Sequence, residues 1–328
     1  MAATDTLLTP NPKRLSDGDR PPGLLTDRVF RFIAFGAALM VLVVLALIIV
    51  STTNEAWPWF RDEGLGVFGS AWNPAAGDLG ALGLIAGTLT VASIALAIAV
   101  PISVGIALFV TEVAPRRLRK PVVYTIDLLA AIPSVVFGLW ALRELEHPLA
   151  DIYRSVSSTT SGIPLIGDIT AHPSATGASL MTGGIVVGIM ITPIVTAITR
   201  EVFATCPASQ KEAALALGAT RWEMIRGAVF PHGRSGLVAA IVIGFGRAVG
   251  ETVAVALVVG ASPRLTQEIF GPGESMGSII LHEFGEASGT HRGALVGLGV
   301  VLLGLTVVIG IIARSVLARA DRRLGIAR

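Results

Sequence analysis

Six apolar runs, at about 30–50, 79–110, 122–142, 180–198, 236–260 and 294–313, alternate with short polar segments along the chain. A helix needs about 20 residues to cross the hydrocarbon core. Six runs near or above that length predict an all-α polytopic membrane helical bundle of six transmembrane helices. At ~1.5 Å per residue the second run would be roughly 48 Å long, against a hydrocarbon core of ~30 Å, so it must tilt, extend or kink, and Pro101 is the expected kink. The third run is interrupted by Asp127 and by Ile132-Pro133-Ser134, and Thr192-Pro193 marks a kink in the fourth. The first run reads as a span, since no small-residue cleavage site follows a short apolar core. Trp57, Pro58, Trp59 and Phe60 suit the headgroup layer beyond it.

Composition agrees with the pattern. The 328 residues are 52% apolar and 15% charged, with a mean hydropathy of +0.73. That is too apolar for a soluble globular protein. Lysine and arginine placement then predicts orientation, because positive charge marks the cytoplasmic side. Four stand before the first span (Lys13, Arg14, Arg20, Arg28), four at 111–121 (Arg116, Arg117, Arg119, Lys120) and five at 199–235 (Arg200, Lys211, Arg221, Arg226, Arg234). Five more follow the last span. The intervening segments 52–78, 143–178 and 262–291 hold one, two and one. Both termini are therefore expected in the cytoplasm, with residues 1–29 a disordered tail, 30–315 the membrane domain and 316–328 a basic tail. The polar stretch 143–178 reads as a long loop on the far side.

The side chains for covalent chemistry are missing. A single cysteine, Cys206, excludes an intrachain disulfide framework and an all-cysteine metal site. His147 and His172 lack ligand-spaced neighbours, so no catalytic residue, metal or cofactor is expected and the chain does not read as an enzyme. Lys13, Lys120 and Lys211 lie outside any GxxxxGK[ST] loop, so ATP, if it drives the protein, is bound by another subunit.

Two features stand out. The fifth run, GLVAAIVIGFGRAVGETVAVALVVG, carries Arg247 and Glu251 near its middle. Each charge costs roughly 2.5–3.5 kcal/mol at a helix centre, so four-residue spacing on one continuous helix predicts an internal ion pair or a site for a charged solute. Thr252 either adds a hydroxyl to such a site or bonds its own backbone. The second feature is EAALALGATRWEMIRGAVFP at 212–231, within the cytoplasmic loop 199–235. A helix to Leu217, Gly218 at positive φ and a second helix from about Arg221, stopped before Pro231, predict a protruding hairpin. An amphipathic segment lying on the headgroups is the plainer reading. Glycine pairs at 83/87, 184/188, 246/250 and 293/297 read as close helix packing.

The 212–231 segment resembles the EAA loop of ABC importer permeases, with Glu212, Ala213, Ala214, Gly218 and Pro231 in the motif's positions and Ala228 and Phe230 where the family has Ile and Leu. GFGRAVGETVAV at 244–255, FGSAWNP at 68–74, PISVGIALFVTEVAP at 101–115 and DLLAAIPSVVFG at 127–138 further resemble permeases of the phosphate importer, or Pst system, the PstC type more than the PstA type. The resemblance implies an ABC type I importer permease fold in the plasma membrane of a bacterium. It implies inward translocation of inorganic phosphate by alternating access, with Arg247 and Glu251 in the pathway. It also implies partners: a PstA-type permease as heterodimer, two copies of a PstB-type ATPase seated on the hairpin around Gly218, and an extracytoplasmic PstS-type binding protein. Membrane lipid, and no nucleic acid, completes the surroundings. A permease for sulfate or molybdate, or a proton-coupled secondary transporter using Arg247 and Glu251 as a relay, remains open, though the latter leaves the hairpin unexplained.

Overall fold

The computed structural model describes residues 24–323, with side chains from Arg28 to Ser315. The expected disordered tail therefore lies outside the described residues up to residue 23, as does the basic tail from residue 324. The chain divides into two units, Met1–Ser51 and Thr52–Arg328. In the first unit the described residues form the opening part of helix α1 (Leu24–Glu63), an uninterrupted apolar rod with exposed side chains.

The second unit starts in the end of α1, which outruns the expected span by a dozen residues and carries Pro58 inside it. That extension corrects the reading of the aromatic cluster. Trp57 is exposed, but Trp59 is fully buried, lying so close over Gly297 that a Cβ there would meet its ring at 2.2 Å. Only glycine admits the indole. A short 3-10 turn (Gly64–Phe68) and a small antiparallel ribbon, β1 (Trp72–Asn73) with β2 (Asp78–Leu79), lead into α2 (Leu82–Leu108).

Helix α2 runs through Pro101 and ends in a π-turn, Phe109–Val113. After it, α3 (Arg116–Ala130) and α4 (Ser134–Trp140) meet at a bend of 89°, so the third run is not the straight helix its length suggests. Proline disfavours helical backbone in the residue before it, and Pro133 itself is extended at ψ 143°. The chain then continues through a second π-turn (Ala141–Leu145) into α5 (Glu146–Thr160) and α6 (Ile166–Ile169). The expected far-side loop is thus largely helical. Its Ser and Thr hydroxyls bond back one turn instead of opening the backbone, as Ser155 does to Asp151 O at 3.0 Å and Thr159 to Ser155 O at 2.8 Å.

Helix α7 (Leu180–Ala204) is the most buried apolar helix and packs closely along α2. Gly184 and Gly188 make that approach possible, since a Cβ on Gly184 would sit 2.4 Å from Ile94 and one on Gly188 3.2 Å from the Ala95 carbonyl. Overpacking of this kind costs about 1–3 kcal/mol. Gly246 and Gly250 do not share this role, because added Cβ atoms there would meet nothing beyond their own turn.

Next come α8 (Ala208–Ala216), α9 (Arg221–Met224), a third π-turn (Ile225–Val229) and α10 (Phe230–Val249). The helix expected to stop before Pro231 instead runs unbroken from Arg221 to Val249. Proline removes one donor and crowds the preceding turn, and the wider π-turn just before it accommodates both, with Phe230 N bonding five residues back to Ile225 O. The chain ends with α11 (Val253–Val258), α12 (Met276–Glu283) and α13 (Gly289–Arg323). Among the described residues five helices are long and apolar enough to span a membrane, and the bent α3–α5 segment makes a sixth when it is counted as one broken span.

Candidate functional site

The fifth apolar run is broken where its charges lie. Helix α10 ends at Val249, Gly250, Glu251 and Thr252 are unwound, and α11 begins at Val253. Gly250 N bonds to Gly246 O at 3.1 Å and Glu251 N to Ala248 O at 3.3 Å, closing the last turn of α10. The Glu251 carboxylate then turns forward, its Oε1 accepting from Ala254 N at 3.3 Å in the first turn of α11. Thr252 Oγ1 donates back to Gly250 O at 3.4 Å, and Thr252 O accepts from Ala256 N at 2.9 Å.

The expected ion pair therefore does not form. Among the described residues no carboxylate lies within salt-bridge distance of Arg247, which is exposed in the last turn of α10. A helix C-terminus favours a cation and an N-terminus an anion, each by about 0.3–1 kcal/mol. The break gives each charge a helix end of its own, so neither needs the other. Irregular backbone at membrane depth is tolerated where it is buried in protein or lines a water-filled cavity. Broken helices whose ends face a charged solute are a recurring form of binding site in transporters.

The break is held from two sides. Ala254 and Leu257 of α11 pack on Gly138 of α4, where an added Cβ would meet Leu257 Cδ1 at 2.7 Å and Ala254 Cα at 3.0 Å. Gly277 of α12 abuts the unwound residues, with its Cβ position 2.8 Å from Thr252 Oγ1 and 3.3 Å from Glu251 O. Gly277 belongs to a buried polar network that sequence reasoning missed. Glu274 accepts from Ser278 Oγ and from Ser275 N at 3.3 Å, His282 Nδ1 stands 3.5 Å from its other oxygen, and Thr88 Oγ1 accepts from Met276 N at 2.9 Å. Burial raises the Glu274 pKa above the usual carboxylate range, opposed by Ser278, His282 and the Ser275 amide. The i, i+4, i+8 spacing of Glu274, Ser278 and His282 was the available signal. Glu146 was also missed: it is buried and its Oε1 has no hydrogen-bond partner among the described residues.

At the other end of α10, the 208–224 hairpin turns at Gly218, whose φ is +86° and around which there is open space. Thr220 and Glu223 form a reciprocal capping box, Glu223 Oε2 accepting from Thr220 N at 2.7 Å. Glu212, Ala213, Gly218 and Pro231 are exposed, while Ala214 packs against the cluster of Ala107, Phe203, Cys206, Met224, Ile225 and Val229. Leu217 projects 90% exposed. One ion pair ties the hairpin to the membrane unit: Lys211 Nζ reaches Glu112 Oε1 at 2.6 Å, with Glu112 in the π-turn that ends α2. Site and hairpin thus lie at the two ends of one helical run, Arg221–Val249.

Residues 99–326 match the model of the binding-protein-dependent transport system inner membrane component family. The chain belongs to that family. The permease is 40% identical over 301 residues to the phosphate transport system permease protein PstC of Xylella fastidiosa strain Temecula1, covering 91% of this chain and 93% of the relative. It is 38% identical to the PstC protein of Mesorhizobium japonicum, covering 92% and 93%, and 39% identical to PstC 2 of Mycobacterium tuberculosis, covering 91% and 94%. Its fold is similar to a chain of the bacterial alginate ABC transporter, with a TM-score of 0.60 at 17% identity over 92% of this chain and 98% of that one. A chain of the MetNI methionine ABC transporter is similar at a TM-score of 0.51 and 17% identity, covering 76% and 94%. The architecture is that of an ABC type I importer permease, a membrane subunit of a transport system.

Proposed function

We propose that the permease carries inorganic phosphate inward across the cytoplasmic membrane, with its termini and the 208–224 hairpin in the cytoplasm. A PstA-type permease completes the pathway, two ATPase subunits of the PstB type supply the energy, and a PstS-type binding protein delivers the anion from outside. The observation that carries this reading is the exposed, carboxylate-free Arg247 at a helix break. A guanidinium offers paired donors that match phosphate oxygens. A single such contact is weak enough to release its anion, as conduction requires. Glu251 holds the break open by capping α11, and Thr252 lies beside the path. The hairpin around Gly218, with Glu212, Ala213 and Ala214 on its first helix and Pro231 behind its second, seats on the ATPase. Movement there reaches Arg247 through one helical run.

One arginine cannot rank phosphate against sulfate or molybdate, so selection falls to the binding protein. The test is ATP hydrolysis by the reconstituted complex with the binding protein loaded in turn with each anion. Stimulation by the phosphate-loaded form supports phosphate import, whereas stimulation only by sulfate or molybdate assigns another oxyanion. Transport without any ATPase subunit would instead favour a secondary transporter.

A further inference from the structure

An open groove of about 430 Å³ lies between α2 and α3, lined by Gly105, Ile106 and Phe109 on one side and Pro121, Val122, Thr125 and Ile126 on the other. Its one hydroxyl is already satisfied, since Thr125 Oγ1 donates to Pro121 O at 3.0 Å. Nothing in the groove calls for a polar occupant. Around it the surface stays apolar and exposed, through Val113, Tyr124 and Leu128.

The mouth of the groove is different. Arg116, Arg117, Arg119 and Lys120 occupy the first turns of α3, all exposed. Arg119 is committed through Nε to Ala114 O at 2.9 Å, but Arg116, Arg117 and Lys120 have no hydrogen-bond or ion-pair partner among the described residues. The neighbouring carboxylates do not neutralise them. Glu112 is paired with Lys211, and Asp127 is ten residues beyond Arg117 and seven beyond Lys120, roughly 15 Å and 10 Å along the helix. Arg117, Pro121 and Thr125 follow at four-residue spacing and share one face, which places Arg117 one turn above the groove. This turn joins two apolar spans and so meets a membrane surface in either orientation.

We infer that the groove and the basic turn together bind one anionic phospholipid, its acyl chain between α2 and α3 and its headgroup phosphate at Arg117, with Lys120 beside Arg117 at i+3 adding its charge at the same level. An apolar slot under unpaired cations at the headgroup level matches an amphiphile with a negative head, and basic pockets between membrane helices bind such headgroups. A free anion would gain nothing from the slot, and a helix of the partner permease would leave the cations unmatched unless it brought carboxylates.

The test is native mass spectrometry of the whole complex, with phosphatidylglycerol titrated against phosphatidylcholine. Phosphatidylglycerol is retained in preference, and the Arg117→Gln/Lys120→Gln variant loses about fivefold in retention per charge, about 25-fold together. Gly105→Phe places a ring in the slot, where a new Cβ meets nothing within 4 Å, and also abolishes retention. Inorganic phosphate does not compete, because it has no acyl chain. Equal retention of the two lipids, or unchanged retention in the charge variant, would overturn the inference. Displacement by inorganic phosphate would reduce the site to an anion site alone. Loss of the partner permease in Gly105→Phe with lipid retention intact would make the groove a subunit interface instead.

Discussion

Removing the Lys211–Glu112 pair should loosen the 208–224 hairpin by a predictable amount. The contact spans 2.6 Å, with the two side chains 21% and 7% exposed. At an effective dielectric constant of ~20 the gross attraction is about 6 kcal/mol, most of it spent on desolvation. Breaking a fully buried pair from one side costs about 3–5 kcal/mol, and the water reaching Lys211 lowers that to about 2 kcal/mol here. Lys211→Met is the more damaging single change, because it strands the less exposed partner. Glu112→Gln/Lys211→Met strands neither and should recover most of the loss. Cys206, the chain's one cysteine, is buried in the cluster beneath the hairpin and reports its opening through maleimide labelling. Two kcal/mol corresponds to about 30-fold faster labelling when opening precedes reaction. The sign is informative: burial already raises the Cys206 thiol pKa and Lys211 lowers it, so loss of Lys211 by electrostatics alone would slow labelling. Slower labelling in Lys211→Met, or a double variant as labile as the sum of the singles, would refute the idea that this pair clamps the hairpin.

Other outcomes follow from the same geometry. Glu251→Gln keeps an oxygen for Ala254 N and should retain uptake within about threefold, whereas Glu251→Ala loses a cap worth about 1 kcal/mol and falls further; equal loss in both would restore a role for the charge itself. Gly218→Val forces a β-branched residue to φ +86°, costing about 1–2 kcal/mol with no new contact, and should weaken ATPase binding about tenfold in a pull-down; unchanged recovery would remove the hairpin from the interface. Glu274 has a raised pKa in the folded protein, so the fold binds its proton more tightly than the unfolded chain does. Its contribution to stability is fully present below the ordinary value of 4.5 and is lost as pH rises through the raised folded value. Glu274→Gln should flatten that loss in thermal unfolding of the detergent-solubilised complex, and an unaltered pH profile would show that the group does not titrate in this window.

Much of this organisation is legible in the sequence, and the residues that mislead do so for identifiable reasons. The apolar runs place the long helices, because in a bilayer only internally bonded backbone survives. Gly218 is a local signal and gives the hairpin, whereas the Thr220–Glu223 box beside it emerges only from the structure. The break at Gly250–Thr252 is harder to read, since no proline interrupts the apolar run. Its weak signal was the order of the charges: on a continuous helix the pair is favoured with Glu before its cation, and here Arg247 comes first. That order suits two helix ends. Trp59 misleads because its role depends on Gly297, far along the chain, which no local pattern pairs with it. The α5 segment misleads by its Ser and Thr content, whose hydroxyls are satisfied within the helix.

The central claim is that the broken helix presents Arg247 to the transported anion without a competing carboxylate. Its most direct test is phosphate uptake by the complete complex reconstituted with Arg247→Gln, with assembly checked by recovery of the ATPase subunits. Assembly should be normal and uptake reduced at least about tenfold, as expected when a charge-assisted contact worth about 1.5–3 kcal/mol is lost. Wild-type uptake from the assembled variant would contradict it.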